Sequence, residues 1–328
     1  MAAPTPTWLP RLERALAEAD TAALAAIPKT DLHCHGLLSA PLQTYENILG
    51  RPLPRPPRLF GDFDDFNLYI VQHLFPALTD PVSIRAIIAD TFQRMASEGV
   101  VYAEMSFDLL LPEAIGLSVD QFAVLLGEEV ARVAAQLRVV PEIGINRALP
   151  AADLDGRVRA FLDTGLFGSV DLYGDERVGA TRDFAPLYDL AAARGLKRKA
   201  HAGELCGSDR VRESVEVLGL EVVHHGVRAV EDPAVMDWIA ARGIVLHVCP
   251  TSNYALRLCE SVETHPARTL FDAGVALTVN TDDFTLFGAS TCDELLNLAR
   301  MGFTPAEIAR VIETGLAQEH RPPRLAKT

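Results

Sequence analysis

The chain has 328 residues, 49% of them hydrophobic and 23% charged, and a formal net charge of −14. That acidic balance weighs against a nucleic-acid backbone or an anionic membrane as main partner, and no apolar run reaches the ~20 residues of a membrane span. Five scattered cysteines (34, 206, 249, 259, 292) without CxxC spacing read as reduced thiols of a cytoplasmic protein, and the N-terminal Met1–Thr7 lacks the basic-then-apolar pattern of a leader.

In chain order, Leu9–Ala26 has the spacing of an amphipathic helix. Short apolar runs then predict eight strands: Lys29–His35, Val100–Phe107, Arg138–Asn146, Ser169–Gly174, Lys197–His201, Glu221–His225, Ile244–Pro250 and Val275–Asp282. Helical periodicity falls between most of them, at Val119–Gln136, Phe184–Arg194, Pro233–Arg242 and Ala267–Ala273. Two further helices are expected at Cys292–Leu298 and Pro305–Gln318. Alternating β and α elements imply a parallel sheet, and eight strands imply closure into a (β/α)8 TIM barrel occupying residues 1–328 as one domain. No Gly-rich phosphate loop follows the first strand, which disfavours a doubly wound open sheet. A long insertion, Leu37 to Pro81, interrupts the repeat with a Pro-rich stretch and then an aromatic one (Phe60, Phe63, Phe66, Tyr69, Phe75). It reads either as a lid or as a loop packed on the rim.

The chemistry-bearing residues sit at the C-terminal ends of predicted strands, where barrel active sites are built. His33 and His35 are spaced i, i+2 and so face one way from a strand. With His201 and the Asp282-Asp283 pair they supply three imidazoles and a carboxylate, a donor set that suits Zn2+ with room left for water. Such a metal lowers the pKa of water it holds and delivers hydroxide near neutral pH. Glu204 stands three residues past His201 as a proton donor or acceptor, and His225 and Asp283 could orient water and take its proton.

The motifs LHCH (32–35), HAGE (201–204), HHG (224–226), CPTSN (249–253), His265-Pro266 and NTDDF (280–284) resemble the adenosine deaminase family of the amidohydrolase superfamily. Tyr102-Ala103-Glu104 and Gly174-Asp175-Glu176 also match, and the resemblance runs from about Pro28 to Leu316. It implies a hydrolytic deaminase holding one Zn2+ per chain through His33, His35, His201 and Asp282, with a small purine-type substrate. Glu204 would protonate the ring nitrogen beside the carbon that bears the amine. His225 and Asp283 would hold and deprotonate the attacking water, and the Gly174 N–H would meet another ring nitrogen.

The chain departs from that family in informative places. Gly36-Leu37-Leu38 follows the His pair where nucleoside-deaminating members usually carry Leu-Asp-Gly, so Leu37 replaces an acid that contacts the sugar's terminal hydroxyl. Leucine cannot accept that bond. Ser106 stands for a frequent Arg, Phe284 for Pro and His224 for Gly. The expected substrate is an adenosine-like nucleoside with an altered or apolar 5′ side. A free base of the adenine type is the alternative, and a non-deaminating hydrolase of the superfamily is a second one. A binding-only relative is disfavoured because every ligand and acid position is occupied. Lys199 is expected either to pair with an acid such as Asp171 deep in the barrel or to contact a charged substrate group, His224 to face outward from the barrel, and His247 either to line the pocket or to sit satisfied in the core. His265 is expected to position a loop, and all five cysteines to point away from the metal.

Overall fold

The computed structural model describes residues 6–320. Met1–Thr5, most of the segment considered above for a leader, lies outside those residues, as does 321–328. Eight parallel strands run around a barrel in sequence order: β1 (Lys29–Asp31), β2 (Val100–Asp108), β3 (Arg138–Asn146), β4 (Ser169–Tyr173), β5 (Lys197–Ala202), β6 (Val222–His225), β7 (Val245–Val248) and β8 (Ala276–Val279). Helices pack outside, as expected of a (β/α)8 barrel. The helix Val119–Val133 shows why: Ser118 and Gln121 form a reciprocal capping box at its start, and Phe122, Leu125 and Leu126 bury one stripe. Among the described residues no helix is long and apolar enough to cross a membrane.

Several element boundaries differ from expectation, β8 ending at Val279 rather than Asp282 and the helix from Val119 at Val133 rather than Gln136, and three others differ for a clear local reason. The N-terminal helix is two helices, Leu9–Glu18 and Thr21–Ala25, because Ala19 turns left-handed and the Asp20 side chain caps the second. β7 stops at Val248, since Pro250 opens the helix Pro250–Ala255 at the position that tolerates proline. β1 ends at Asp31 rather than His35, because side chains take over the seam with β8. The Leu32 N–H donates to Asn280 Oδ1 (2.8 Å), the Thr281 N–H to Asp31 Oδ1 (3.2 Å), and the Asp282 N–H to the His33 carbonyl (3.0 Å). Isolated parallel bridges, Cys34 with Asp282 and His35 with Ser106, carry the pairing on to the mouth.

The barrel interior is not wholly apolar. Lys199 is fully buried and pairs with Glu104 of β2 and Glu142 of β3, not with Asp171. Parallel register explains the correction. Asp171 lies directly beside Lys199 on β4, but its carboxylate is taken by His201 Nδ1 at 3.1 Å. Burial opposes the Lys199 charge, and the two carboxylates outweigh that and hold the ammonium protonated.

The insertion folds as helices Leu42–Leu49 and Phe63–Tyr69, the second running into a π-helical turn at Ile70–Leu74. It has its own apolar cluster, with Tyr45, Phe60, Phe66, Tyr69 and Leu74 at its centre. The Phe60 N–H donates to the Ala255 carbonyl (2.9 Å) and Arg257 Nε to the Phe60 carbonyl (2.6 Å), which moors the insertion to the chain after β7. The helix Phe63–Tyr69 therefore stands at the barrel mouth.

Candidate active site

The barrel mouth collects the expected side chains. His33, His201, His225 and Asp282 each bring a ligand atom within 4.8 Å of the others, and His35, Asp282 and Asp283 make an overlapping group. Three of the four residues expected to hold metal, His33, His201 and Asp282, thus share one group with His225, and His35 joins it through Asp282. Two of these positions carry left-handed backbone on non-glycine residues, His225 (φ 59°) and Asp282 (φ 57°). Each costs about 1–2 kcal/mol, and each redirects a side chain that strict alternation would send elsewhere.

That turn corrects the expectation for His224. His224 sits directly across from His201 in the parallel register, so it shares the inward face, and its ring centroid lies 4.0 Å from that of His33. Alternation alone would send His225 outward. Its left-handed φ swings the ring over the mouth instead, so both histidines end up inside.

The second nitrogens of the rings say what the first can do. His33 Nδ1 lies 3.3 Å from the His247 carbonyl, and His201 Nδ1 lies 3.1 Å from Asp171 Oδ1. Both Nδ1 atoms therefore face oxygen acceptors and carry the proton, which leaves Nε2 bare. The two bare Nε2 atoms face each other at 3.0 Å. Opposed lone pairs at that distance suit a cation that both can bind. His35 Nε2 reaches Asp282 Oδ1 at 3.5 Å, and Ser252 donates to Asp282 Oδ2 at 2.6 Å. Buried imidazoles, one carboxylate and outer partners that fix them are the donor chemistry of a zinc site.

Glu204 is 3% exposed and is set by a device invisible in the motif that names it. Glu176, after β4, accepts backbone N–H bonds from Gly203 (2.7 Å), Glu204 (2.8 Å), Leu205 (2.6 Å) and Cys206 (3.1 Å). One buried carboxylate thus holds the whole turn after β5. Burial, then the charges of Asp282, Glu176 and Asp283, pushes the Glu204 carboxyl well above the usual carboxylate range, which favours its protonated form. Asp283 is raised by burial and by Asp282, and its Oδ1 has no hydrogen-bond partner among the described residues.

His247 lies in the core, with Nδ1 3.0 Å from the Leu32 carbonyl, and does not line the mouth. Cys249 does not point away from the cluster: its Sγ is 3.3 Å from His33 Nδ1. Cys34 is buried among core side chains, with Sγ 3.6 Å from the Glu104 carbonyl. His265 reaches Asn253 Oδ1 at 3.0 Å, and Asn253 reaches His225 at 3.1 Å, a connection the motifs alone did not reveal.

Two cavities meet here. One of about 100 Å³ touches His35, His201, Glu204, His225, Asp283 and Gly174, with Phe63 and Phe66 of the insertion above it. A second of about 410 Å³ opens beside it across His35, Asn146 and Tyr173. Its wall is apolar: Leu37, Ile70, Phe75, Leu78, Leu110 and Leu111. Asp108, bonded by the Tyr173 hydroxyl, is its acidic member.

The sequence profile described as Adenosine deaminase matches residues 58–322. An adenine deaminase of Agrobacterium fabrum (strain C58) is 32% identical over 307 residues, 88% of this chain and 92% of its own. Among solved structures, an adenine deaminase from Arthrobacter aurescens superposes with TM-score 0.81 at 24% identity, over 89% of this chain and 93% of its own. An amidohydrolase from Burkholderia ambifaria with bound Zn does so with TM-score 0.81 at 21% identity, over 100% of this chain and 90% of its own. The protein is a hydrolase acting on C–N bonds and belongs to the adenosine deaminase family.

Proposed function

We propose that the protein is a zinc-dependent hydrolase that releases ammonia from a 6-aminopurine nucleoside whose 5′ side carries an apolar group. The observation that carries this reading is the leucine-walled chamber of about 410 Å³ beside the reacting groups. Ligand sites bury most of a ligand against apolar walls with a few placed polar groups. An apolar substituent fills such a chamber, whereas a 5′-hydroxyl entering past Leu37 meets a leucine where an acceptor would stand, the chamber's one carboxylate, Asp108, being already bonded by the Tyr173 hydroxyl and the Leu110 N–H.

His33, His35, His201 and Asp282 would hold a Zn2+ ion, which when bound would supply Lewis acidity and make water acidic enough to lose a proton near neutral pH. The chain's own groups do the rest. Glu204, kept protonated by burial, donates to the ring nitrogen beside the amine-bearing carbon. Asp283, a carboxylate made more basic by its surroundings, takes a proton from the attacking water and passes it to the departing amine. Gly174 offers its backbone N–H to a second ring nitrogen, and Phe63 and Phe66 cover the ring and keep bulk water out. Water and aminopurine become oxopurine and ammonia.

The second reading is deamination of adenine itself. It is favoured by the small volume of the cavity beside Glu204 and by the name of the Agrobacterium relative.

Ammonia release from adenine, adenosine, 5′-deoxyadenosine and 5′-thioether nucleosides decides between them, with Glu204→Ala as blank. The expected order of kcat/KM places the 5′-thioethers above adenosine by about 100-fold, as a polar group without its partner costs. Leu37→Asp is expected to narrow that gap. Adenine outrunning every nucleoside would overturn the proposal in favour of the free base.

A further inference from the structure

His225 differs from the other imidazoles in what stands behind it. His33 and His201 have oxygens at Nδ1; His225 Nδ1 is 3.1 Å from the Asn253 side-chain amide. Which end of that amide faces His225 follows from a backbone group two residues further along a chain of contacts. The Ala267 N–H donates to His265 Nδ1 at 3.1 Å, and a backbone amide can only donate. His265 Nδ1 is therefore an unprotonated acceptor, and its proton lies on Nε2. Nε2–H donates to Asn253 at 3.0 Å, so the Asn253 atom there is the oxygen and the other end, facing His225, is the NH2. His225 Nδ1 then accepts, and the His225 proton sits on Nε2. Burial of His265, 2% exposed, keeps it neutral and its proton count at one.

We infer that Asn253 and His265 are positioning residues that lock His225 as the Nε2–H tautomer, aimed as a hydrogen-bond donor at the reacting centre. Its Nε2 lies 3.5 Å from Glu204 Oε1 and 3.9 Å from Asp282 Oδ2. Two consequences follow. An imidazole with a proton on Nε2 has no lone pair there for a metal, which separates His225 from His33 and His201 although all three cluster together. It also cannot take the water's proton at that atom, which leaves proton acceptance to Asp283. The His225 tautomer follows from these hydrogen bonds and the neutral His265; only the kinetic arm of the test rests on the deaminase reading.

The test is a long-range 1H–15N correlation spectrum of zinc-loaded protein labelled with 15N-histidine. The expected spectrum shows His225 and His265 each protonated on Nε2 and bare on Nδ1. Asn253→Asp keeps the shape and still accepts from His265, but presents oxygen to His225 and is expected to move its proton to Nδ1. With it, kcat should fall about 100-fold or more while KM changes about threefold at most, since a wrong-tautomer histidine in a Ser-His-Asp triad costs about 10⁴ in kcat. His265→Gln keeps a donor toward Asn253 and is expected to retain the His225 tautomer. His265→Leu lets the amide turn over and is expected to lose it. A proton on His225 Nδ1 in the unsubstituted protein, or an unchanged His225 spectrum in both Asn253→Asp and His265→Leu, overturns the inference. The spectrum reads out whether or not any purine is turned over, so failure of the deaminase reading is seen separately, as silence in the ammonia assay.

Discussion

The Glu176 carboxylate receives the backbone N–H of Glu204 at 2.8 Å, so one acid holds the turn that aims another. Three neighbouring N–H groups share the same carboxylate. Glu176→Gln keeps the shape but turns an NH2 toward at least one of those donors, and a buried donor left unpaired costs about 1–3 kcal/mol. The expected result is a Tm lower by about 2–4 °C for each kcal/mol lost, with kcat down about tenfold as Glu204 loses its aim. Calorimetry and ammonia release measure both, and an unchanged Tm would show that the turn holds itself.

Much of this was legible from the chain. Strand–helix alternation is periodic and local, so the barrel could be read from it, and with it the gathering of His33, His35, His201 and Asp282 at the mouth, although β1 and β8 end before His33 and Asp282. What could not be read depends on register between distant strands or on single backbone turns. Lys199 meets Glu104 and Glu142 across the barrel, and sequence order alone does not say which acids a closed barrel brings to it. His224 and His225 both enter the barrel because one residue adopts positive φ, which no period-2 pattern encodes. The CPTSN and His265-Pro266 motifs were visible, but their joint hold on His225 appears only when the helix Pro250–Ala255 brings Asn253 beneath it.

The buried Lys199 is structural on this geometry, since it touches acids deep in the barrel and lines neither cavity. Lys199→Met leaves Glu104 and Glu142 facing each other without their shared cation. Breaking a buried pair from one side costs about 3–5 kcal/mol. Urea unfolding should show that loss, and Lys199→Met combined with Glu104→Gln and Glu142→Gln should recover part of it. A stable Lys199→Met protein with altered substrate preference would instead place the lysine in recognition.

Glu294 ties the helix Thr291–Arg300 to the segment carrying Ser252 and Asn253, accepting from the Thr251 N–H (3.1 Å) and from Asn297 Nδ2 (3.0 Å). Burial pushes its carboxyl up from 4.5 to about 7. The folded state thus binds this proton more tightly than the unfolded one. The group's contribution is fully present below pH 4.5 and is lost as pH rises to about 7, an effect on the order of 3 kcal/mol. Glu294→Gln removes that slope. The difference in unfolding free energy between the two proteins, followed from pH 4.5 to 7.5, should therefore shift in favour of the variant as pH rises. A difference flat with pH would mean that Glu294 ionises in the folded state as it does in the unfolded one.

The Zn2+ proposed for this cluster should stabilise the fold, because only the folded chain brings the facing Nε2 atoms of His33 and His201 together. Binding at free metal 1,000 times its dissociation constant adds about 4 kcal/mol. Chelated protein is expected to melt lower and to recover on adding Zn2+. Asp282→Asn should blunt the recovery, and a Tm indifferent to Zn2+ would argue against a resident metal at this cluster.

Gly174 combines two constraints that can be separated. Its φ of +96° disfavours any side chain, and an added Cβ would meet Asn146 Oδ1 at 3.0 Å, on the wall shared by both cavities. Gly195 offers the matched control, with φ +75° and nothing within 4 Å of an added Cβ. Both Gly→Ala changes force an L-residue into left-handed backbone and should lower stability by a similar 1–2 kcal/mol or so. Only Gly174→Ala should also raise KM, by about tenfold, because it displaces the N–H proposed to meet the ring and crowds the wall beside it. If both variants lose stability and neither changes KM, Gly174 serves the turn after β4 alone, and the ring nitrogen it was assigned must find another donor.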